Sequence, residues 1–128
     1  TPPLSWSAMT SEYASEHTTM TETEFVAACE QVLGDLEEAL DALPIDTDTE
    51  RSGLVLTIEL EDGSKIIVNG NTPLREIWVA ARAGGFHFRH EGGRWLDTRG
   101  GQSLHACLSD CLSRQAGRTV VLDDRGDR

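Results

Sequence analysis

The carboxylates near the start of the chain are the residues best suited to chemistry. Seven acids and no base lie in one stretch of sixteen residues, namely Asp35, Glu37, Glu38, Asp41, Asp46, Asp48 and Glu50. Carboxylate oxygens without a neighbouring thiolate or imidazole suit hard cations that keep several of their waters. Like charges at this density repel one another, so a cation or a basic protein surface would stabilise them. The alternative to a binding site is an ordinary solvent-exposed helix face followed by an acidic loop.

Asp46, Asp48 and Glu50 have the alternate spacing that begins an EF-hand calcium loop, but the rest of that motif is missing. Its sixth position holds Arg51 where glycine is needed, and its twelfth holds Thr57 where glutamate is needed. We therefore expect any metal sites here to be exposed, weak and multiple rather than one closed cage.

Nucleophilic and redox chemistry have little support in the sequence. None of the four histidines lies in a nucleophile or HExxH context. Cys107 and Cys111 are spaced to lie on the apolar face of one predicted helix and Cys29 on that of another, which favours core packing. Three cysteines without a C-x-x-C spacing argue against a disulfide framework or a zinc knuckle and favour a reducing compartment. We predict a cytoplasmic protein that is not an enzyme.

The overall charge excludes some partners. The 128 residues carry 22 acids against 11 bases, a formal charge of −11, and residues 1–50 contain 12 of the acids and no Lys or Arg. The sequence has no cluster of Lys and Arg residues of the kind that binds nucleic acid. No apolar run approaches the roughly 20 residues that a membrane span requires, so we do not expect a membrane as a partner. The length is that of one domain.

The acid-rich segment begins on a predicted helix over residues 20–43. Thr21 and Glu24 have the spacing of a capping box, and Pro44 ends the helix. Apolar residues recur every three or four positions and form one buried stripe, whereas the acids form a ridge along one flank. The ridge is predicted to continue into the following loop through Asp46, Asp48 and Glu50.

Alternation after the ridge predicts antiparallel strands. Apolar and polar residues alternate over residues 54–60, as in a strand with one buried face. Asp62-Gly63 is a hairpin turn signal, and residues 64–69 are predicted as the returning strand. Residues 76–81 are predicted as a strand or a helical turn, and residues 86–90 and 94–97 as two short strands. A helix capped by Ser103 and ended by Gly117 is predicted over residues 104–115, and a last extended piece over residues 119–122. This order predicts an α+β fold, a two-layer sandwich with both helices packed on one face of an antiparallel sheet and the other face open. Residues 20–122 form the predicted domain, between disordered tails over residues 1–19 and 123–128.

Trp78 is not explained by this pattern. It lies between Ile77 and Val79, so on a strand it faces away from the core. The pattern leaves open whether a loop covers it or whether it is exposed for a partner.

The chain resembles the frataxins, in particular the bacterial CyaY type, over residues 20–122. The resemblance is carried by the stretches DGSKIIVN, TPLREIWVA and GGFHF, which begin at residues 62, 72 and 84. The N-x-x-x-P-x-x-x-x-W spacing of Asn69, Pro73 and Trp78, together with the acidic first helix, is the specific part of this resemblance.

The resemblance implies a frataxin-like sandwich and a set of functional residues. Iron, as Fe²⁺ or Fe³⁺, is expected to bind at an acidic ridge, and the same ridge is expected to dock on a basic patch of cysteine desulfurase. The ridge residues are Glu37, Glu38, Asp41, Asp46, Asp48 and Glu50, with Glu30 and Asp35 as possible outliers. Asn69 and Trp78 match positions that contact the iron–sulfur scaffold protein, which favours an exposed Trp78. Residues 42–45 interrupt the acid run, and Val26 stands where some relatives have a metal-binding histidine, so fewer or weaker metal sites are expected.

The resulting prediction is an iron-binding regulator, or iron chaperone, of iron–sulfur cluster assembly, monomeric unless iron drives oligomerisation. The main alternative is a pure protein-interaction adaptor of the assembly machinery with incidental metal binding. A third possibility, ferroxidase activity with iron storage in an oligomer, needs a buried oxidising site that the sequence does not reveal.

Overall fold

The computed structural model describes residues 20–122 as two α-helices and six β-strands. In chain order these are α1 (Glu22–Asp41), β1 (Thr47–Ser52), β2 (Val55–Leu60), β3 (Lys65–Asn71), β4 (Glu76–Ala81), β5 (Gly84–Glu91), β6 (Arg94–Asp97) and α2 (Leu104–Ala116). The strands form one antiparallel sheet in the order β1-β2-β3-β4-β5-β6. The two predicted tails lie outside the described residues.

Helix α1 follows its predicted pattern closely. The capping box is present: the Thr21 hydroxyl accepts from the Glu24 amide at 3.1 Å, and Glu24 Oε1 accepts from the Thr21 amide at 2.9 Å. The helix ends at Asp41, and Pro44 follows the turn that closes it. Its buried stripe consists of Phe25, Cys29, Val32, Leu33, Leu36, Ala39 and Leu40.

Both helices pack on the same face of the sheet, which confirms the predicted α+β sandwich. Ser103 caps α2 by accepting from the Ala106 amide, and Gly117 ends the helix with a φ of 74°. The sheet meets the helices through alternate apolar residues, among them Leu56, Ile58, Ile66, Val68, Ile77, Val79 and Phe88. Within residues 20–122, neither helix is both long and apolar enough to cross a membrane.

One predicted segment is corrected by the structure. The acidic segment after α1, predicted as a loop, contains strand β1, which pairs with β2 along its whole length. β1 is an edge strand that buries little surface, and none of its residues has a large apolar side chain. The alternation of apolar and polar residues that predicts a strand is therefore missing. Residues 119–122, predicted as an extended piece, follow α2 without joining the sheet. Instead, the Val120 and Leu122 amides donate to the Ser113 and Ser109 hydroxyls of α2.

Candidate functional site: an acidic edge and an open sheet face

Three of the predicted metal ligands, Glu37, Glu38 and Asp41, lie on the last turns of α1. Glu38 and Asp41 are exposed, and Glu37 is half-buried. Glu37 Oε1 accepts a hydrogen bond from Arg51 Nη1 at 3.0 Å, so one member of this group already has a counter-ion from β1. We call these three residues the helical acids.

Asp48 and Glu50, which we call the strand acids, belong to the opposite face of the sheet. In the β1–β2 register Thr49 lies opposite Ile58, whose side chain is buried beneath the helices. Residues directly opposite each other share a face, and neighbours along a strand alternate. The strand acids therefore project from the face without helices, and the predicted single ridge consists of two groups at one edge of the molecule.

Asp46 and Glu30 belong to the acidic edge, whereas Asp35 lies on the other flank of α1, where it lines a pocket with residues of β6 and α2. Asp46 is exposed in the connection between α1 and β1, at the junction of the helical and strand acids. Glu30 is exposed on α1, whereas Asp35 is half-buried and accepts from Gln31 Nε2 at 3.3 Å. Six of these eight carboxylates are thus exposed to water.

The donors fit a hard cation, but the geometry is open. Within residues 20–122 no group of three or more His, Cys, Asp or Glu side chains is arranged to hold a metal ion. The cysteines are buried in the core as predicted. Burial raises the pKa of the Cys29 thiol to about 12. The hydrogen bond with Cys111, followed by burial, raises the pKa of the Cys107 thiol, so Cys29 and Cys107 stay protonated. A cation at this edge would be held by carboxylate oxygens and water.

Asn69 and Trp78 are brought together by the β3–β4 register, in which they are direct partners. Both belong to the open face, on which no helix of residues 20–122 packs. Trp78 is half-buried rather than fully exposed, because the His87 ring stacks on it with centroids 4.5 Å apart and an interplanar angle of 8°. Its Nε1 donates to Glu76 Oε1 at 2.9 Å.

Glu76 connects Trp78 to two side chains of β5. Its Oε2 accepts from Arg89 Nε at 3.2 Å, and its Oε1 lies 3.6 Å from His87 Nδ1. No motif or spacing in the sequence singles out Glu76, His87 or Arg89. The alternation of β4 already puts Glu76 on the face of Trp78, but the register that pairs Trp78 with His87 and Glu76 with Arg89 is a tertiary property.

Comparison with known proteins identifies the family. The family model described as a frataxin-like domain matches residues 18–118. The iron–sulfur cluster assembly protein CyaY of Cupriavidus metallidurans is 50% identical over 107 residues, which cover 80% of this chain and 96% of the relative. The protein of the same name from Ralstonia nicotianae is also 50% identical over 107 residues, covering 80% and 95%.

Solved structures agree with this match. Frataxin from Psychromonas ingrahamii, a CyaY family protein, has 30% identity and a TM-score of 0.76, covering 82% of this chain and all of its own. A trimeric frataxin from Saccharomyces cerevisiae complexed with ferrous iron has 28% identity and a TM-score of 0.55, covering 70% of this chain and 81% of its own. The capped acidic helix, the six-stranded antiparallel sheet and these matches together show that the chain belongs to the frataxin family, in its bacterial CyaY-type branch.

Proposed function

We propose that this chain is a cytoplasmic, non-enzymatic regulator of iron–sulfur cluster assembly that binds iron at its acidic edge. A role in cluster assembly is supported by the relatives, which are iron–sulfur cluster assembly proteins. The single observation that carries the iron proposal is the exposure of carboxylates from α1, Asp46 and β1 at one edge, in a stretch without any base from Asp35 to Glu50.

Iron is proposed as cargo rather than as a resident cofactor. Fe²⁺ and Fe³⁺ accept carboxylate and water ligands, and the exposed acids offer these without burying a charge. Each ion is held by one or two carboxylates and keeps most of its waters, which makes binding weak and exchange fast. The yeast frataxin complexed with ferrous iron supports iron as the metal.

The same edge is the proposed docking surface for cysteine desulfurase. A basic patch on that enzyme would be attracted by the negative field of the edge, which raises the association rate and selects the orientation of the complex. Iron bound at the acidic edge reduces the negative charge of that edge, so iron binding changes the affinity for desulfurase.

The open face is the proposed contact for the iron–sulfur scaffold protein. Asn69 offers an amide for hydrogen bonding, and Trp78 offers a large ring of a residue type that is enriched among the binding hot spots of protein interfaces. The chain is proposed to act as a monomer that assembles further with iron. The trimeric yeast frataxin with ferrous iron supports that assembly.

A charge-reversal experiment tests the acidic edge. In an oxygen-free NMR titration with Fe²⁺, we expect amide shifts and broadening at residues 37–41 and 46–50. The double variant Glu38→Lys/Asp41→Lys should weaken both Fe²⁺ binding and desulfurase binding, each by about tenfold or more, because it replaces two attractive charges with two repulsive ones.

The matched control is Glu91→Lys/Asp110→Lys, which changes the net charge equally but outside α1 and β1. Both affinities should stay within about twofold of the unmodified chain, as expected for charges remote from the contact. If the two double variants behave alike, only net charge matters and the assignment of the acidic edge is wrong.

One observation favours the adaptor as a second candidate function. Within residues 20–122 no three metal-binding side chains converge, and Glu37 is already paired with Arg51. A pure adaptor would bind desulfurase tightly with an affinity that iron does not change. A desulfurase titration with and without Fe²⁺ therefore separates the two functions.

A further inference from the structure

Glu76 is unusual because its carboxylate is buried on the face of the sheet that carries no helix. Only 8% of its side chain is accessible, whereas Glu59 on the same face is exposed. An ionised carboxylate is expensive to bury unless it is paired and hydrogen-bonded. Both Glu76 oxygens have donors, the Trp78 indole on Oε1 and the Arg89 guanidinium on Oε2. These donors hold the carboxylate in one position.

The consequence for Trp78 is a fixed ring. A tryptophan side chain has two rotatable bonds, and the hydrogen bond from Nε1 together with stacking on His87 restrains both. A partner therefore meets the ring already in place and does not lose affinity by ordering it. Because the indole N–H is satisfied within the chain, the surface offered to a partner is the apolar part of the half-buried ring together with the adjacent imidazole.

Arg89 and His87 have different parts in this arrangement. Arg89 is 44% exposed but directs its Nε at Glu76, so it supplies the charge that a buried carboxylate requires. His87 is 47% exposed and covers one face of the indole, so it shares the outer surface with Trp78. All four side chains come from strands β4 and β5, whose backbone pairing sets their spacing.

We propose that Glu76, held by Arg89, is the positioning residue of Trp78, and that Trp78 and His87 form one preformed aromatic platform for the scaffold protein. This inference rests on the proposed scaffold contact and deepens it. The platform suits an apolar or aromatic side chain of the partner, with Asn69, the register partner of Trp78, beside it as a hydrogen-bonding residue.

The test compares Glu76→Ala and Glu76→Gln with Trp78→Ala, and uses Glu59→Ala as the control. Glu59→Ala also removes a carboxylate from the open face, but from β2 and away from Trp78. Two quantities are measured for each variant: the affinity for purified iron–sulfur scaffold protein, and the NMR signal of the Trp78 indole N–H, assigned with Trp78→Phe.

We expect Glu76→Ala to bind the scaffold protein roughly three- to tenfold more weakly, as estimated from the ordering cost of one large side chain. Its Trp78 indole N–H should move upfield and exchange faster with solvent, because its acceptor is gone. Glu76→Gln, which keeps one acceptor oxygen, should recover part of both properties. Glu59→Ala should change neither, and Trp78→Ala should lose the most affinity.

Two results would overturn the inference in different ways. If Trp78→Ala binds weakly but Glu76→Ala binds as tightly as the unmodified chain, then Glu76 does not position Trp78, while the proposed scaffold contact stands. If Trp78→Ala itself binds as tightly as the unmodified chain, then the scaffold contact at the open face is wrong, and the platform is wrong with it. Glu76→Gln also guards against a folding defect, since it changes only one atom of the side chain.

Discussion

At the scale of single residues, the pairing of Glu37 with Arg51 changes what the acidic edge can offer to a cation. The bridge is 3.0 Å long, and its side chains are 36% and 27% exposed. Gly34, one helical turn before Glu37, lies beside this bridge, and a Cβ there would make an ordinary contact of 3.7 Å with Arg51 Nη1. Arg51 thus neutralises one of the helical acids from within the chain.

Removing that counter-ion should make the edge a better cation site at some cost in stability. We expect Arg51→Gln to bind Fe²⁺ or another divalent cation a few-fold more tightly, measured by oxygen-free calorimetry, because Glu37 becomes available. The variant should lose about 0.5–1 kcal/mol of unfolding free energy, the range for a partly exposed bridge.

The control for this prediction is Arg82→Gln. Arg82 forms a more exposed bridge of 3.4 Å with Asp62, in the turn between β2 and β3. Its loss should leave cation binding unchanged. An equal cation affinity for Arg51→Gln and the unmodified chain would place Glu37 outside the cation site.

At the scale of elements, two glycines show how α1 and the sheet tolerate change differently. Gly34 is inside α1, where a glycine costs about 1 kcal/mol relative to alanine, and a Cβ there would make only ordinary contact. Gly70 is in β3, where a Cβ would approach Cys29 Sγ to 3.1 Å and Leu54 Cβ to 3.2 Å. The first site has room, and the second is a close contact between β3, α1 and the residue that precedes β2.

Alanine should therefore have opposite effects at these positions. We expect Gly34→Ala to stabilise the chain by about 0.5–1 kcal/mol through helix propensity. Gly70→Ala should destabilise it by about 1–3 kcal/mol through overpacking. Urea unfolding followed by circular dichroism measures both, and the two variants serve as each other's control. Stabilisation by Gly70→Ala would mean that Cys29 and Leu54 can move apart freely.

At the scale of the whole molecule, charge is distributed very unevenly. Residues 1–50 contain 12 acids and no Lys or Arg, whereas residues 51–128 contain 10 acids and 11 bases. The fold brings Arg51 back to α1, but the exposed acids of α1 and β1 remain concentrated at one edge. Repulsion within that edge opposes folding, and any condition that screens or neutralises it should favour the folded state.

Added salt or divalent cation should therefore raise the melting temperature. Sodium chloride screens the repulsion, and its effect should be smaller in Glu38→Lys/Asp41→Lys, in which the repulsion is already reduced. A cation at ten times its Kd should contribute roughly 1.4 kcal/mol for one site, or a rise of about 5 °C or more for a domain of this size. A melting curve that responds to neither would contradict a self-repelling acidic edge.

Much of the architecture could be predicted because its signals are local. The capping box of α1, its apolar stripe, the Asp62-Gly63 turn and the Ser103 and Gly117 caps each depend on residues close in sequence, and the structure confirms them. The site was only partly accessible in this way. The acids and Trp78 could be named from their types and from the resemblance, but their roles as iron and partner sites stay predictions.

The sequence by itself therefore determined the two helices, the hairpin and the excess of negative charge, because periodicity, capping and composition act over short distances. Only the tertiary structure decided that the strand acids, Asp48 and Glu50, lie on an edge strand and face away from the helical acids, since that strand is formed by pairing with β2 and not by its own residues. It also decided that Arg51 reaches Glu37 and that Arg89 and Trp78 meet at Glu76. These contacts depend on strand register and helix placement, which join residues that are distant along the chain.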